Sequence, residues 1–473
     1  MNDGEKEENG MPGEAPFTMR RMQTGNRQAD EILGGGFPIN SINVVMGQPG
    51  TGKTIFAQQL LYYNAGRDRP ILYVTTLSEP LSKVVSYVQG FDFFDDRLLG
   101  TSVQYEDAGQ LLVAGGPAAL VPWLTEIIKT RMPSIIIIDS FRAIHDLASS
   151  TPEMRRIISD LGGLLSAYEV TTFLLGEYTD ADVDRCPEFA LADGIIEMAR
   201  HPLSTRDERF FRVRKLRGSG YREGQHALRI TKSGIELFPR LVTPQVPEGY
   251  APTLERVKSG VPGLDKMLDG GLWRGSATLL VGSTGSGKTT LGLQFALEGV
   301  RNGEASLYVN FQENPAQLGR AIAGLGMSMS EARDQGLHSM YVSPVELQID
   351  SIIVSIFELV KSGTIHRVVI DAVGDLASAA YDPQRLHDYL YSLVQHLAVH
   401  GITSILTFES GGGYVGKTEI EARFSYMSDN VIILGLGGEG DIKRTVRVVK
   451  TRNSAHDHRA RTLSITARGG EVV

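Results

Sequence analysis

Gly47-Gln48-Pro49-Gly50-Thr51-Gly52-Lys53-Thr54 and Gly282-Ser283-Thr284-Gly285-Ser286-Gly287-Lys288-Thr289 both satisfy the pattern G-x-x-x-x-G-K-[ST]. Glycines and small residues let successive backbone N–H groups converge on phosphate oxygens, the lysine reaches the terminal phosphates, and the hydroxyl ligates Mg²⁺. The residues expected to hold nucleotide are Gly47, Gly50, Thr51, Gly52, Lys53 and Thr54 in one loop. In the other they are Gly282, Thr284, Gly285, Ser286, Gly287, Lys288, Thr289 and Thr290. Short apolar runs, Ile42–Met46 and Ala277–Val281, precede the loops, and amphipathic helical runs, Ile55 to Asn64 and Thr290 to Gly299, follow them. Strand, glycine loop and helix is the setting such a phosphate cradle requires, and two copies in that setting set aside a plain glycine turn.

The two loops belong to a repeat. Lys53 and Lys288 are 235 residues apart, and the same offset relates Gly25 to Gly260, Asp30 to Asp265, Gly36 to Gly271 and Pro80 to Pro315. At 473 residues the chain exceeds what one core supports, so two domains are expected, 18–243 and 244–473. Pro239, Pro244, Pro247 and Pro252 mark an extended linker around 240–254 between them. Residues 1–17, rich in Glu, Gly and Pro, lack both the apolar surface to fold and the apolar core of a signal peptide, and read as a disordered acidic tail.

A single cysteine, Cys186, excludes an intrachain disulfide or a cysteine metal cluster and fits a reducing cytoplasm. The apolar runs are of strand length, which argues against a membrane span. A net charge of −8 and a pI near 5.8 argue against a standing nucleic-acid surface. His456 and His458 read as solvated surface residues, with no metal assigned there.

Two further apolar strands end in aspartate. Ser134–Asp139 and Arg367–Asp371 place Asp139 and Asp371 at 86 and 83 residues after their lysines, where carboxylates would hold Mg²⁺ through water beside Thr54 and Thr289. After the strand Leu307–Phe311 comes Gln312-Glu313-Asn314-Pro315, and Glu313 is the candidate general base. In the first copy the constant offset puts Ser78 opposite Glu313, so Glu79 serves only if that turn is one residue tighter.

The tandem loops, the Gly-Gly-Phe-Pro and Gly-Gly-Leu approaches to the first strands, the Phe311-Gln312-Glu313-Asn314-Pro315 turn and Asp139-Ser140 together resemble the KaiC family, the ATPases and autokinases of the cyanobacterial clock. Lys215-Leu216-Arg217-Gly218-Ser219 and Lys450-Thr451-Arg452-Asn453-Ser454 resemble that family's Lys-x-Arg-Gly-Ser segment, which implies that Lys215, Arg217, Lys450 and Arg452 act on the nucleotide of a neighbouring subunit. Without the resemblance they would be an ordinary basic edge strand. The resemblance also implies a phosphoacceptor at Ser425, where the adjacent threonine of the family's pair has become Tyr426. It implies a homo-oligomer, a hexamer of two tiers, and a KaiB-like or other signalling partner. The chain stops at Val473, so KaiA-type regulation through a C-terminal tail is not expected.

The expected fold is thus α/β, two tandem RecA-like P-loop domains with mostly parallel sheets flanked by helices. The expected activity is ATP hydrolysis with ATP and Mg²⁺, with serine autophosphorylation as a second activity. Two other classes compete. One is a DNA recombinase or helicase motor, for which Ser410–Lys417 would be a strand-contacting loop. The other is a signalling scaffold that ATP merely holds together.

Overall fold

The computed structural model describes residues 19–66, 70–77, 80–203, 206–344, 347–361, 364–378, 382–410, 425–437 and 443–473. The acidic segment 1–17, Ser78, Glu79 and the glycine-rich stretch 411–417 lie outside the described residues. The chain divides into two compact units, one ending at Arg240 and the other beginning at Leu241.

The first unit is built on β1 (Ile42–Met46), β2 (Ile71–Thr75), β3 (Val103–Asp107), β4 (Ile135–Asp139), β5 (Thr171–Gly176), β6 (Gly194–Leu203), β7 (Arg206–Leu216), β8 (His226–Thr231) and β9 (Gly234–Phe238). Their order across one sheet is β3-β2-β4-β5-β1-β6-β7-β8-β9. The strands from β3 to β6 run parallel, and β7 to β9 extend the sheet antiparallel. Every residue of β1, β2 and β5 is buried, as a parallel sheet covered on both faces demands. Parity sorts the isoleucines of β4. Ile135 and Ile137 enter the core on one face of the sheet, Ile136 and Ile138 the core on the other.

The second unit repeats the plan with β10 (Ala277–Gly282), β11 (Ala305–Asn310), β12 (Leu337–Tyr341), β13 (Ile365–Asp371), β14 (Thr403–Glu409), β15 (Asn430–Gly437), β16 (Lys443–Thr451), β17 (Arg461–Thr466) and β18 (Gly469–Val472). Its sheet order, β12-β11-β13-β14-β10-β15-β16-β17-β18, is that of the first unit position for position. Both are RecA-like α/β domains of the expected class. The segment after Leu241 has no helix or strand until Arg256 and lies on the second unit. His396 Nε2 is 2.8 Å from Val242 O, and the Tyr250 hydroxyl donates to Ala398 O at 3.1 Å.

Two details differ from the sequence reading. The helices after the loops, α1 (Lys53–Asn64) and α2 (Lys288–Arg301), start two residues earlier than their amphipathic pattern suggests. Gly52 and Gly287, at φ 102° and 107°, turn the chain into the helix, so the lysine is its first residue and the threonine its second. The strands carrying Lys215 and Lys450 are also not sheet edges. β7 and β16 are paired on both sides over Arg209–Phe211 and Arg444–Val446, while Lys215 and Lys450 lie past those ladders and are paired on one side only, with β6 and β15.

Candidate nucleotide sites

The first site grows from the C-terminal end of β1. Gly47 must be glycine because a Cβ there would lie 2.0 Å from Met198 O of the neighbouring strand. Lys53 follows, nearly buried, its ammonium donating to the carbonyls of Gly47 at 2.8 Å and Gln48 at 2.9 Å. Burial lowers its pKa, while Glu177 and then Asp139 push it back up. Thr54 Oγ1 donates to Asp139 Oδ2 at 2.8 Å, so the two residues expected to share Mg²⁺ are already in contact. The same oxygen accepts from the Tyr73 hydroxyl at 2.6 Å. Tyr73 is wholly buried, and desolvation with the Asp139 charge raises its pKa well above the usual, which keeps it a donor. Lys53, Thr54, Asp139, Ser140, Glu177 and Ile230 line a cleft of about 380 Å³, within the size range of small-molecule sites.

The second site reproduces this contact for contact. Lys288 Nζ donates to Gly282 O at 2.8 Å and Ser283 O at 3.0 Å, and Thr289 Oγ1 to Asp371 Oδ2 at 2.7 Å. Tyr308 donates to Asp371 Oδ2 at 2.8 Å, while the Thr407 hydroxyl takes Oδ1. In this copy the turn after β11 brings Glu313 to the site. Its backbone N–H donates to Asn310 Oδ1 at 3.1 Å, and among the described residues its Oε2 is buried without a partner. Burial first, and the Asp371 charge second, raise its pKa above the ordinary glutamate value. That is the environment a general base working near neutral pH needs. Glu79, the first copy's candidate, lies outside the described residues. The described part of that turn, Thr76 and Leu77, offers no carboxylate.

Residues that sequence reasoning passed over complete both sites. Tyr73 and Tyr308 keep the 235-residue offset. Glu177 and Glu409 are 232 residues apart, the same spacing as Asp139 and Asp371, a signal that was available once the shortened offset was noticed. Glu409 ends β14 opposite Gly282, and its carboxylate accepts from the Thr284 hydroxyl in the loop. Glu177 follows Gly176, the partner of Met46, and so takes the same place in the first unit.

Register puts the four basic residues elsewhere. Lys215 pairs with Ile195 and Leu216 with Gly194, which pairs with Asn43 near the start of β1. Lys450 likewise pairs with Val431, itself opposite Leu279. They therefore sit two strands across and toward the sheet end opposite their own phosphate loop, which opens from the far end of β1 or β10. Arg217 is held by Asp193 at 3.2 Å and Arg452 reaches Asp429 at 3.7 Å. Ser425 is next to them. Lys450 Nζ donates to the carbonyls of Ser425 and Ser428, and Arg452 Nη2 to that of Tyr426, each at 2.7 Å.

The donor set suits the expected ligands. A hydroxyl and a carboxylate in contact are hard oxygen donors of the kind Mg²⁺ takes, the ammonium is fixed at the mouth of the glycine loop, and Ser286 Oγ in the second loop is buried without a partner among the described residues. Among the described residues the one other group of potential metal ligands is His145, Cys186 and Glu188. There burial, then Glu188, pushes the thiol up to about 11, and the Arg142 guanidinium stands 3.8 Å from it. Glu188 is bonded by Tyr178 at 2.7 Å and faces His145 Nδ1 at 3.2 Å, so the cluster is internally satisfied.

Residues 22–242 and 257–473 each match the family described as "ATPase: KaiC". The chain belongs to the KaiC ATPase family. It is 28% identical over 485 residues to the circadian clock oscillator protein KaiC of Rippkaea orientalis, covering 100% of this chain and 91% of that protein. It is 27% identical over 468 residues to the protein of the same name from Picosynechococcus sp., covering 96% and 90%. Circadian clock protein KaiC3 of Synechocystis sp. is 24% identical over 469 residues, covering 96% and 92%. The family membership makes the chain a KaiC-like ATP-binding ATPase. No helix among the described residues is long and apolar enough to cross a membrane.

Proposed function

We propose that the chain assembles into a homo-oligomeric ring, a hexamer, that hydrolyses Mg²⁺-ATP between neighbouring subunits. The observation that carries this reading is the split in each unit between its two sets of functional residues. The lysine, threonine and aspartate meet at one end of the sheet, and Lys215 with Arg217, or Lys450 with Arg452, lie toward the other. A cation pair remote from its own phosphate loop serves a loop on the next subunit. Mg²⁺, held through Thr54 and Asp139 or Thr289 and Asp371, would supply charge neutralisation at the terminal phosphates. Lys53 and Lys288 bind those phosphates, and the neighbour's Lys and Arg oppose the charge that grows as the terminal phosphoryl departs. At the second site Glu313 accepts the proton of the attacking water. Because Lys450 and Arg452 bond the backbone of Ser425 and Tyr426, a ring that delivers these cations to a neighbour's ATP delivers Ser425 with them, and serine autophosphorylation is the second activity we propose.

Sedimentation of the full chain with and without Mg²⁺-ATP, with turnover measured on the same samples and with single-stranded DNA added, tests the reading. A hexamer that forms with ATP and turns over without DNA is expected. A monomer in saturating ATP overturns the intersubunit site, and turnover that depends on DNA points to a motor instead.

A further inference from the structure

The two sites share their lysine, threonine, aspartate and tyrosine, but the 235-residue offset puts Ser78 where the second copy has Glu313, and Glu79, one residue on, lies outside the described residues. Each nevertheless has a glutamate just beyond the strand next to its loop strand, Glu177 after β5 and Glu409 at the end of β14. Each is also the foremost charge acting on its loop lysine, ahead of the aspartate. One difference separates them. In the second copy the carboxylate is tied to the loop by the Thr284 hydroxyl. The 235-residue offset puts Pro49 at that position in the first copy, and proline has no side-chain donor. Glu177 accordingly lines the cleft with Lys53, Thr54 and Asp139 and receives no hydrogen bond or ion pair from the described residues.

We infer that Glu177 is the catalytic base of the first site, and that the two domains run the same hydrolysis with bases drawn from different strands. The inference rests on the ATPase reading above. The attacking water forms the new O–P bond at the terminal phosphorus and passes its proton to the Glu177 carboxylate. The bond from that phosphorus to the bridging oxygen breaks, ADP keeps the electron pair, and the carboxyl releases its proton to solvent. A free carboxylate can turn toward a water in the cleft, whereas one pinned to its own loop cannot. The second site, where Glu409 is pinned, therefore needs Glu313.

The test uses the full chain with Lys288→Ala, which removes nucleotide from the second site. This parent is expected to hold about one ATP per chain and to turn it over. Adding Glu177→Gln should leave the bound ATP and lower turnover about 10²-fold or more, the usual scale of general-base catalysis. Adding Pro49→Thr, which installs the tether seen at Thr284, should also lower it. Turnover within twofold of the parent in the nucleotide-bound Gln variant overturns the inference, as does a parent that binds ATP without hydrolysing it. A parent that binds no ATP overturns the ATP-site reading itself, a distinct result. If the Gln variant fails to hold ATP, Glu177→Asp decides. Bound ATP with reduced turnover and a retained acid limb in the pH profile supports the base, and unchanged turnover overturns it.

Discussion

The Lys450 ammonium donates to the backbone carbonyl of Ser425 at 2.7 Å, and to that of Ser428 at the same distance. A residue expected to face a neighbour's phosphates thus also holds down the segment that carries Ser425, the proposed phosphoacceptor. Lys450→Met should release that segment. Hydrogen exchange across Ser425–Ser428 should accelerate even without ATP, by the equivalent of ~1–2 kcal/mol once solvent competition for a half-exposed ammonium is allowed for. Unchanged protection there would mean that the clamp contributes nothing.

Tyr308→Phe removes the donor to Asp371 Oδ2 while keeping the volume of a fully buried ring. A hydrogen bond to a charged group is worth about 1.5–3 kcal/mol, and the freed aspartate also loses one of the contacts that orient it. Lower stability in urea is expected together with a raised Mg²⁺ requirement for turnover. A variant with the wild-type Mg²⁺ titration would limit Tyr308 to a packing role.

Glu313→Gln should move stability and activity in opposite directions. Burial and Asp371 hold the Glu313 pKa above its unfolded value. The folded chain therefore binds the proton more tightly than the unfolded one. The resulting penalty is absent below the unfolded pKa, develops as pH rises toward the folded pKa, and is fully present above it. Glutamine never carries the charge, so the variant should be the more stable protein near neutral pH, with the advantage fading in acid. Second-site turnover should fall about 10²–10⁴-fold. Denaturant melts across a pH series, read beside turnover, check both signs.

Gly47→Ala places a methyl 2.0 Å from Met198 O, on a residue at φ 152°. Backbone, not a flexible side chain, would have to move, and it would move at the mouth of the first cleft. Loss of nucleotide from the first site and destabilisation by about 1–3 kcal/mol are expected, on the scale of overpacking with backbone shifts. Nucleotide retained at wild-type stoichiometry would show that the β1–β6 contact yields more easily than the close approach implies.

What the amino-acid order determined by itself is what consecutive residues do together. Gly47 to Thr54 and Gly282 to Thr289 make phosphate cradles because neighbouring N–H groups converge within one loop. Ser134–Asp139 and Arg367–Asp371 announce buried strands ending in a carboxylate because side-chain parity and apolar content are local properties. The 235-residue offset carried the duplication without any coordinates. Tertiary structure alone decided which distant groups face those loops. β5 lies beside β1 only after the chain has crossed through β2, β3 and β4, and that crossing brings Glu177 to Lys53 and Glu409 to Thr284. Tyr73 meets Asp139 because β2 and β4 are neighbours in the sheet, a pairing no window of sequence contains. The basic segments looked like edge strands because charge is usual there. Long-range pairing with β6 and β15 carries Lys215 and Lys450 toward the sheet end remote from their own loops, which is why the proposed function gives them to a neighbour's nucleotide.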